Sequence, residues 1–381
     1  MVTMKDVAVA AGVSASSVSN AYHRPNKLSA DQRSRILNVA QTLGYSGPHP
    51  GASSLRSGSV GSLGLLITDS LSYAFEDPAT VLLLRGIAQV SQMANVSLAL
   101  LPSGSNASPP QTKNRRDLPV DEDVWPAVQR SVVDGFLIYS LPDGHPAVSS
   151  ALNRGLPCVI IDSPKIEGVP FVGIDDRSAA SRAAEHLLEL GHHRIGILVD
   201  RLRPDGSRGF ASQSRVRHAQ DEVARERLAG YRAAFQQAGL DPSAVPIVEA
   251  GGFLFTEGQR AAEDLLRRHN LTAVLATTDV LALSALKVLR VMGKSVPEEV
   301  SVVGFDDLPE SAAAGLTTVR QPLIDKGRRA AEAIIRSVAG ETVGMTILPT
   351  KMEVRSSTGP APINAALELA GPRHIAGLHE S

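Results

Sequence analysis

Between residues 3 and 45 the apolar positions recur at helical intervals, separated by residues that start and stop helices. Val7, Ala8 and Ala11 make one stripe, Val18 and Ala21 a second, and Ile36, Val39, Ala40 and Leu43 a third. Thr3, Ser14 and Ser29 stand where an N-cap is needed, and Asp6 follows Thr3 at the distance that reaches the first-turn N–H groups. Gly12 and Gly44 close the first and third stripes, and Pro25 closes the second. The pattern predicts two short helices across the turn Gly12-Val13-Ser14, braced by a third: a helix-turn-helix unit over 1–46. Its second helix would expose Ala15, Ser16, Ser17, Ser19 and Asn20. Side chains this short let a helix approach a major groove closely, and a carboxamide such as that of Asn20 pairs with adenine. An ordinary helical cap exposing small polar residues would show the same pattern.

From residue 61 the period changes. The runs LGLLI (63–67), SLALL (97–101), VDGFLIY (133–139), CVIID (158–162), RIGILV (194–199), AVLAT (273–277) and SVVGFD (301–306) suit strands buried on both faces. Helix-like stretches such as RSAASRAAEHLLELG and EGQRAAEDLLRRH lie between them. The fold class is therefore α/β, with parallel sheets grouped into two lobes. Ligands of such sheets bind beyond the carboxyl ends of the strands. That rule selects Asp69, Ser70, Asp162, Asp175, Asp279 and Asp306, acceptors for a hydroxyl-rich or amine-bearing molecule, with Tyr73 and Phe75 as a stacking face. The competing role for each aspartate is to cap the helix that follows.

Charge sharpens the division between head and body. Residues 1–60 carry six Lys/Arg against two Asp, a balance of +4, whereas the remainder holds 32 basic and 37 acidic residues, a balance of -5. A basic head on a mildly acidic body fits a module that binds a polyanion. Cys158, the single cysteine, allows no internal disulfide, and its setting LPCVIID reads as a buried strand. The N-terminus lacks the charged segment and apolar stretch of a secretory signal, and no apolar run is long enough to span a membrane, so the cytoplasm is the expected location. The chemistry of an enzyme is not evident. The glycines never meet Lys and Ser/Thr at P-loop spacing, no dinucleotide fingerprint follows the first strand, and the cleft acids have no nucleophile with an activating base. His192 and His193 are adjacent at a helix end and cannot converge on a metal; no metal or other cofactor is expected. The rival reading is an exported solute-binding protein, which would need a signal peptide where this chain has its basic head.

The stretch MKDVAVAAGVSASSVSNAYHRPNKLSADQRSRILNVAQTLGY resembles the DNA-binding head of the lactose-repressor (LacI/GalR) family of bacterial transcription regulators. The resemblance implies that Ala15, Ser16 and Asn20 read bases while Ser14, Ser17 and Ser19 sit beside phosphates. It implies a hinge helix and linker over 47–60, in which Leu55 wedges into the minor groove and Arg56 contacts phosphate or groove. The family's usual arginine two residues before that leucine is Ser53 here. In the body, SVVGFDDLPESAAAGLTTVRQP, ARERLAGY, LATTDVLALSAL and VGIDDRSAASRAAEHLLELGHHRIG carry the likeness to residue 357 or so. They imply a two-lobed, periplasmic-binding-protein-like body over 61–358, with Arg227 gripping an effector and Asp279 touching it; Thr278 replaces the family's usual asparagine. Lobe one is expected at about 61–162 and 293–320, lobe two at about 163–292 and 321–358, with a peripheral tail at 359–381. The segments 102–123 and 200–226 read as long surface loops, the second a solvated basic one. The implied partners are double-stranded operator DNA, a small-molecule effector and a second copy of the chain, in a homodimer or higher oligomer. The implied activity is repression controlled by a sugar or sugar derivative, with a purine or nucleoside as the alternative effector.

Overall fold

The computed structural model describes residues 2–47, 59–67, 71–103 and 125–362. The chain divides into a small unit, Met1–Gly61, and a large one, Ser62–Ser381.

In the small unit, helix α1 (Met4–Ala11) starts at a capping box: the Thr3 N–H donates to Asp6 Oδ2 at 2.8 Å while the Thr3 hydroxyl accepts from the Asp6 N–H. Gly12 ends it at φ +64°, a left-handed conformation that glycine adopts without a Cβ penalty. Ser14 caps α2 (Ala15–His23) by accepting from the Ser17 N–H at 3.1 Å, and Ser29 caps α3 (Ala30–Thr42) by accepting from the Gln32 N–H at 3.2 Å. The three stripes meet in a core of Val7, Ala8, Ala11, Val18, Ala21, Ile36 and Ala40. Leu43, expected in the third stripe, is instead the α3 C-cap and 38% exposed, because the helix ends one turn position too early to aim it inward. Leu37 packs at the core edge in its place.

The large unit holds two sheets. The first is ordered β12-β5-β4-β3-β1-β2 and is parallel throughout: β1 (Ser62–Ile67), β2 (Ser97–Pro102), β3 (Gly135–Tyr139), β4 (Cys158–Ile161), β5 (Phe171–Ile174) and β12 (Met345–Leu348). The second is ordered β13-β11-β10-β9-β6-β8-β7. It comprises β6 (Ile195–Val199), β7 (Gly209–Phe210), β8 (Ile247–Glu249), β9 (Ala273–Ala276), β10 (Ser301–Asp306), β11 (Thr317–Arg320) and β13 (Lys351–Glu353). Its centre is parallel and its two edge strands are antiparallel. Six longer helices cover these sheets: α4 (Pro78–Met93), α5 (Asp176–Glu189), α6 (Glu222–Gln237), α7 (Phe255–Arg268), α8 (Asp279–Val291) and α9 (Leu323–Val338). They pack pairwise, α4 on α9, α5 on α6 and α7 on α8. At the α4–α9 crossing Gly86 and Gly327 face the opposite backbone; a Cβ on Gly86 would lie 2.0 Å from the Ile324 carbonyl oxygen. Only glycine permits that approach.

The expected lobe boundaries need correction. β10 and β11 lie within 293–320, yet they belong to the second sheet: β10 pairs with β9, Ser301 opposite Ala273, and β11 pairs with β10, Thr317 opposite Val303. Residues 163–174 and 323–348 belong instead to the first lobe, through β5, α9 and β12. The chain therefore changes lobes after β5, after β11 and after β12. Parallel partners are distant in sequence, so the order of strands along the chain does not reveal which sheet each one joins.

The segment 200–226 also differs from a solvated loop. It contains β7, which extends the second sheet, and a short helix Gln213–Arg217 whose Arg215 donates to both Asp205 and Glu249. Most of 102–123 lies outside the described residues, as does the tail from 363. Cys158 is buried, and that burial pushes its thiol pKa up to about 11. Among the described residues no helix is long and apolar enough to cross a membrane.

Candidate DNA-binding face and effector cleft

The six head residues selected from the sequence fall on the start and exposed side of α2. Ser14, Ala15 and Ser16 are exposed; Ser17, Ser19 and Asn20 are half-buried. The hydroxyl of Ser14 lies 2.9 Å from that of Ser16 and 3.0 Å from that of Ser17, so three hydroxyls cluster at the N-terminus of α2. There the unpaired N–H groups and the helix dipole favour an anion. Arg33 donates through Nε to the Ala21 carbonyl at 3.2 Å and ties α3 to the back of α2. Leu55 and Arg56 lie outside the described residues.

In the body, strand ends and helix starts enclose a cavity of about 70 Å³ lined by Ile67, Asp77, Ala79, Thr80, Tyr139, Ser140, Asp162, Asp200, Val223, Arg227, Phe253, Thr278, Val280, Asp306 and Gln321. Ligand pockets usually measure several hundred Å³, so the two lobes stand close together. Of the body residues selected from the sequence, Asp162, Arg227 and Asp306 meet here. Asp69 and the side chain of Tyr73 lie outside the described residues. Phe75 is 64% exposed and does not line the cavity, because its short helix turns Ala74 inward instead. Phe253 and Tyr139 supply the aromatic surface.

Asp279 is likewise absent from the cavity wall. Its Oδ2 accepts from the Leu308 N–H at 2.8 Å and the Ser311 hydroxyl at 2.6 Å, and its Oδ1 accepts from the Thr318 hydroxyl at 2.6 Å. With no exposed surface and three internal donors, Asp279 locks α8 to β11 and the loop after β10, while its neighbours Thr278 and Val280 face the cleft. Asp175 also takes the capping role, accepting from the Ser178 N–H at 3.0 Å.

Arg227 is a buried cation of the second lobe. Its Nε donates to Asp176 at 2.8 Å, its Nη1 donates to the Thr277 carbonyl and lies 3.8 Å from Asp306, and its guanidinium stacks 3.7 Å from the Phe305 ring centre. Burial works against its charge, yet Asp176 and Asp306 hold its pKa above the usual arginine range. Asp306 sits at φ +129° on the end of β10 and accepts from Gln321 Nε2 at 2.6 Å; burial raises its pKa well above the carboxylate range, against the pull of Arg227. Across the cleft, Asp162 sits at φ +64° after β4 and accepts from Lys326 Nζ at 2.7 and 2.9 Å. That ammonium, fully buried, also donates to Gln321 Oε1. Gln321 follows β11, where the chain passes between lobes. A continuous set of polar contacts thus runs from Asp162 and Lys326 in the first lobe, through Gln321, to Asp306 and Arg227 in the second.

Sequence reasoning did not select Asp77, Tyr139, Asp200, Phe253, Gln321 or Lys326. Asp200 follows RIGILV and satisfies the same strand-end rule as the others. Burial and the neighbouring Asp221 push its pKa up to about 7. Gln321 lies within the quoted TTVRQP block. Lys326 had a subtler signal: it occupies the buried stripe of α9 with Leu323, Gly327, Ala330, Ala331 and Ile334, where a lysine must find a carboxylate. A larger hollow of about 830 Å³ lies along α8, lined by Leu254, Phe255, Leu283, Leu286 and Val296 among others. It is mostly apolar and offers no convergent polar set of the kind found between the lobes.

Comparison with known proteins accords with this architecture. Residues 3–47 match the family described as bacterial regulatory proteins, lacI family, and residues 184–358 match a periplasmic binding protein-like domain. An HTH-type transcriptional regulator of Mycobacterium tuberculosis is 39% identical over 360 residues, covering 94% of this chain and 97% of the relative. The crystal structure of a LacI-family transcriptional regulator from Corynebacterium glutamicum superposes with TM-score 0.70 at 36% identity, covering 94% of this chain and 98% of the other. A complex of the transcriptional regulator CelR with cellobiose superposes with TM-score 0.63 at 26% identity, covering 94% of this chain and all of the other. With its helix-turn-helix head, two-lobed parallel-sheet body and full-length likeness to such regulators, the chain belongs to the LacI family of bacterial transcription regulators.

Proposed function

We propose that this regulator is a homodimeric repressor whose grip on a near-palindromic operator is set by a sugar or sugar derivative held between the lobes. Ala15, Ser16 and Asn20 contact base edges, Ser14, Ser17 and Ser19 contact phosphates, and Leu55 and Arg56 engage the minor groove. Arg227, Asp162 and Asp306 take the effector's hydroxyls, joined by Asp200, Asp77 and Tyr139. The observation that carries the reading is the polar chain Asp162–Lys326–Gln321–Asp306–Arg227, which links the lobes at the point where a ligand would lie. An effector hydroxyl that bonds these groups favours one lobe arrangement over another, and a differential of about 1–3 kcal/mol is enough to regulate DNA binding. The cellobiose complex of CelR supports a carbohydrate in this cleft.

Two features support a pair of heads. A head with a balance of only +4 neutralises few phosphates, so a single copy binds weakly at physiological salt. The hollow along α8, with Leu254 39% and Phe255 42% exposed, gives a second copy an apolar surface to cover. Such a regulator has no catalytic step and works in the cytoplasm, where the chromosome is. The test uses full-length protein and an operator selected from random duplexes. Neutral sugars should change operator affinity in the parent and leave it unchanged in Arg227→Ala, which still binds the operator. An Arg227→Ala protein with the parent's effector affinity would refute the assignment of that residue.

A further inference from the structure

Resting on the reading of this cleft as the effector site, we infer that it is built for an uncharged polyol and rejects the phosphorylated form of the same molecule. Two independent features of the wall lead there.

The first is the balance of lining charges. Four aspartates line the cavity, Asp77, Asp162, Asp200 and Asp306, against the single guanidinium of Arg227, and burial favours the protonated form of Asp200 and Asp306, which can then also donate. That guanidinium is already engaged by Asp176, Asp306 and the Thr277 carbonyl, and the Lys326 ammonium behind the wall by Asp162 and Gln321. Both cations already have carboxylate partners. A phosphate would have to shed its hydration beside Asp77 and Asp162, with no lining cation that lacks a carboxylate partner to receive it.

The second feature concerns backbone donors. Three helices, α4, α6 and α8, begin at the cleft, and helix N-termini are the usual cradle for phosphate. In each, a side chain already takes part of the first turn. Asp77 accepts from the Ala79 and Thr80 N–H groups at 3.2 and 3.0 Å, Asp221 from the Ala224 N–H at 3.4 Å, and Thr278 from the Leu281 N–H at 3.4 Å. Asp306 further takes the Asp279 N–H at 3.4 Å. Carboxylates occupy the places where a phosphate would sit.

What remains suits hydroxyl groups. A carboxylate accepts at several lone-pair positions, so Asp162, Asp200 and Asp306 keep acceptor capacity beyond their internal bonds. Ile67, Val223, Phe253 and Val280 offer apolar surface for the C–H face of a ring. The protein cations compensate the carboxylates internally, so the ligand need bring no charge.

The experiment is calorimetric titration of full-length protein at neutral pH with pentoses, hexoses, cyclitols and disaccharides, each beside its monophosphate, together with glucosamine and adenosine. A neutral polyol is expected to bind, and its monophosphate to bind weaker by about 100-fold or more. A phosphate that matches or exceeds its parent sugar overturns the inference; so does adenosine or glucosamine outbinding every neutral polyol, or no neutral polyol binding at all. Operator binding is measured on the same preparation. Specific DNA binding regulated by a phosphate, an amine or adenosine defeats the inference while leaving the effector site standing; binding that no member of the panel alters defeats both.

Discussion

Replacing Lys326 by Met would leave Asp162 as a carboxylate without its cation. The Lys326 ammonium is fully buried and bonds both Asp162 oxygens at 2.7 and 2.9 Å; the Asp162 side chain is only 10% exposed. Breaking a buried pair by removing one partner costs about 3–5 kcal/mol, chiefly the price of the stranded charge. Because Asp162 borders the cavity, where water can reach it, the lower figure of about 3 kcal/mol is expected. The volume of methionine suits the stem of lysine, so packing changes little. Trp125 is the sole tryptophan and packs in the first lobe, so its fluorescence in urea follows the lobe that contains α9. Lys326→Met should lose about 3 kcal/mol, or about 6–10 °C in thermal midpoint. Adding Asp162→Asn removes the stranded charge and should restore about 2 kcal/mol, a coupling that a simple packing defect cannot produce. A single variant that loses under about 1 kcal/mol, or a double variant no better than the single, would refute the assignment of Lys326 as the counter-ion of the cleft.

Three further outcomes are expected. Asp200 has a folded pKa of about 7, above its unfolded value, so the folded state holds the extra proton; its contribution is favourable below about pH 4, is lost as pH rises to 7, and is level above that. Asp200→Asn should therefore flatten the decline of stability between pH 4 and 7 and stabilise the protein at pH 8 by about 1–3 kcal/mol, read from urea curves across pH; an unchanged slope would argue against the buried acid. Gly86→Ala brings a Cβ to 2.0 Å from the Ile324 carbonyl and should cost about 2–3 kcal/mol as α4 and α9 are forced apart, measured by calorimetric melting; a neutral effect would contradict the crossing. Asn20→Ala should weaken operator binding by about 1–3 kcal/mol and relax preference at one base pair with no change in salt slope, measured by anisotropy titration on single-base operator variants; a uniform loss across all variants would make Asn20 a phosphate ligand instead.

The head, Leu43 apart, was legible because its structure is local. A cap, a stripe at helical spacing and a stopping glycine all fall within a dozen residues, and Thr3, Ser14 and Ser29 cap the helices as their positions demand. The α/β class of the body was legible for the same reason, since fully apolar runs alternate with amphipathic stretches. Membership of a sheet is another matter. Whether β10 pairs with β9 or with a strand of the first sheet depends on partners far apart in the chain, and the misplaced lobe boundaries follow from that.

The cleft divides the same way. The strand-end rule found Asp162 and Asp306 because it is a statement about topology that short patterns reveal, and the family likeness found Arg227. It could not separate an aspartate that faces the cavity from one consumed by the scaffold. Asp279 and Asp306 both adjoin strand ends; three donors from the loop after β10 and from β11 claim the first, and the second reaches the cavity wall. Lys326 was not singled out in the sequence, and only the fold brings its ammonium to Asp162 and Gln321. By itself the sequence determined the head, the class of the body and the strand ends at which a ligand would sit, since these depend on neighbours along the chain. The tertiary structure decided which carboxylates are available, which cation holds them and which helix starts are closed, because desolvation and hydrogen bonding depend on groups that only the fold brings together.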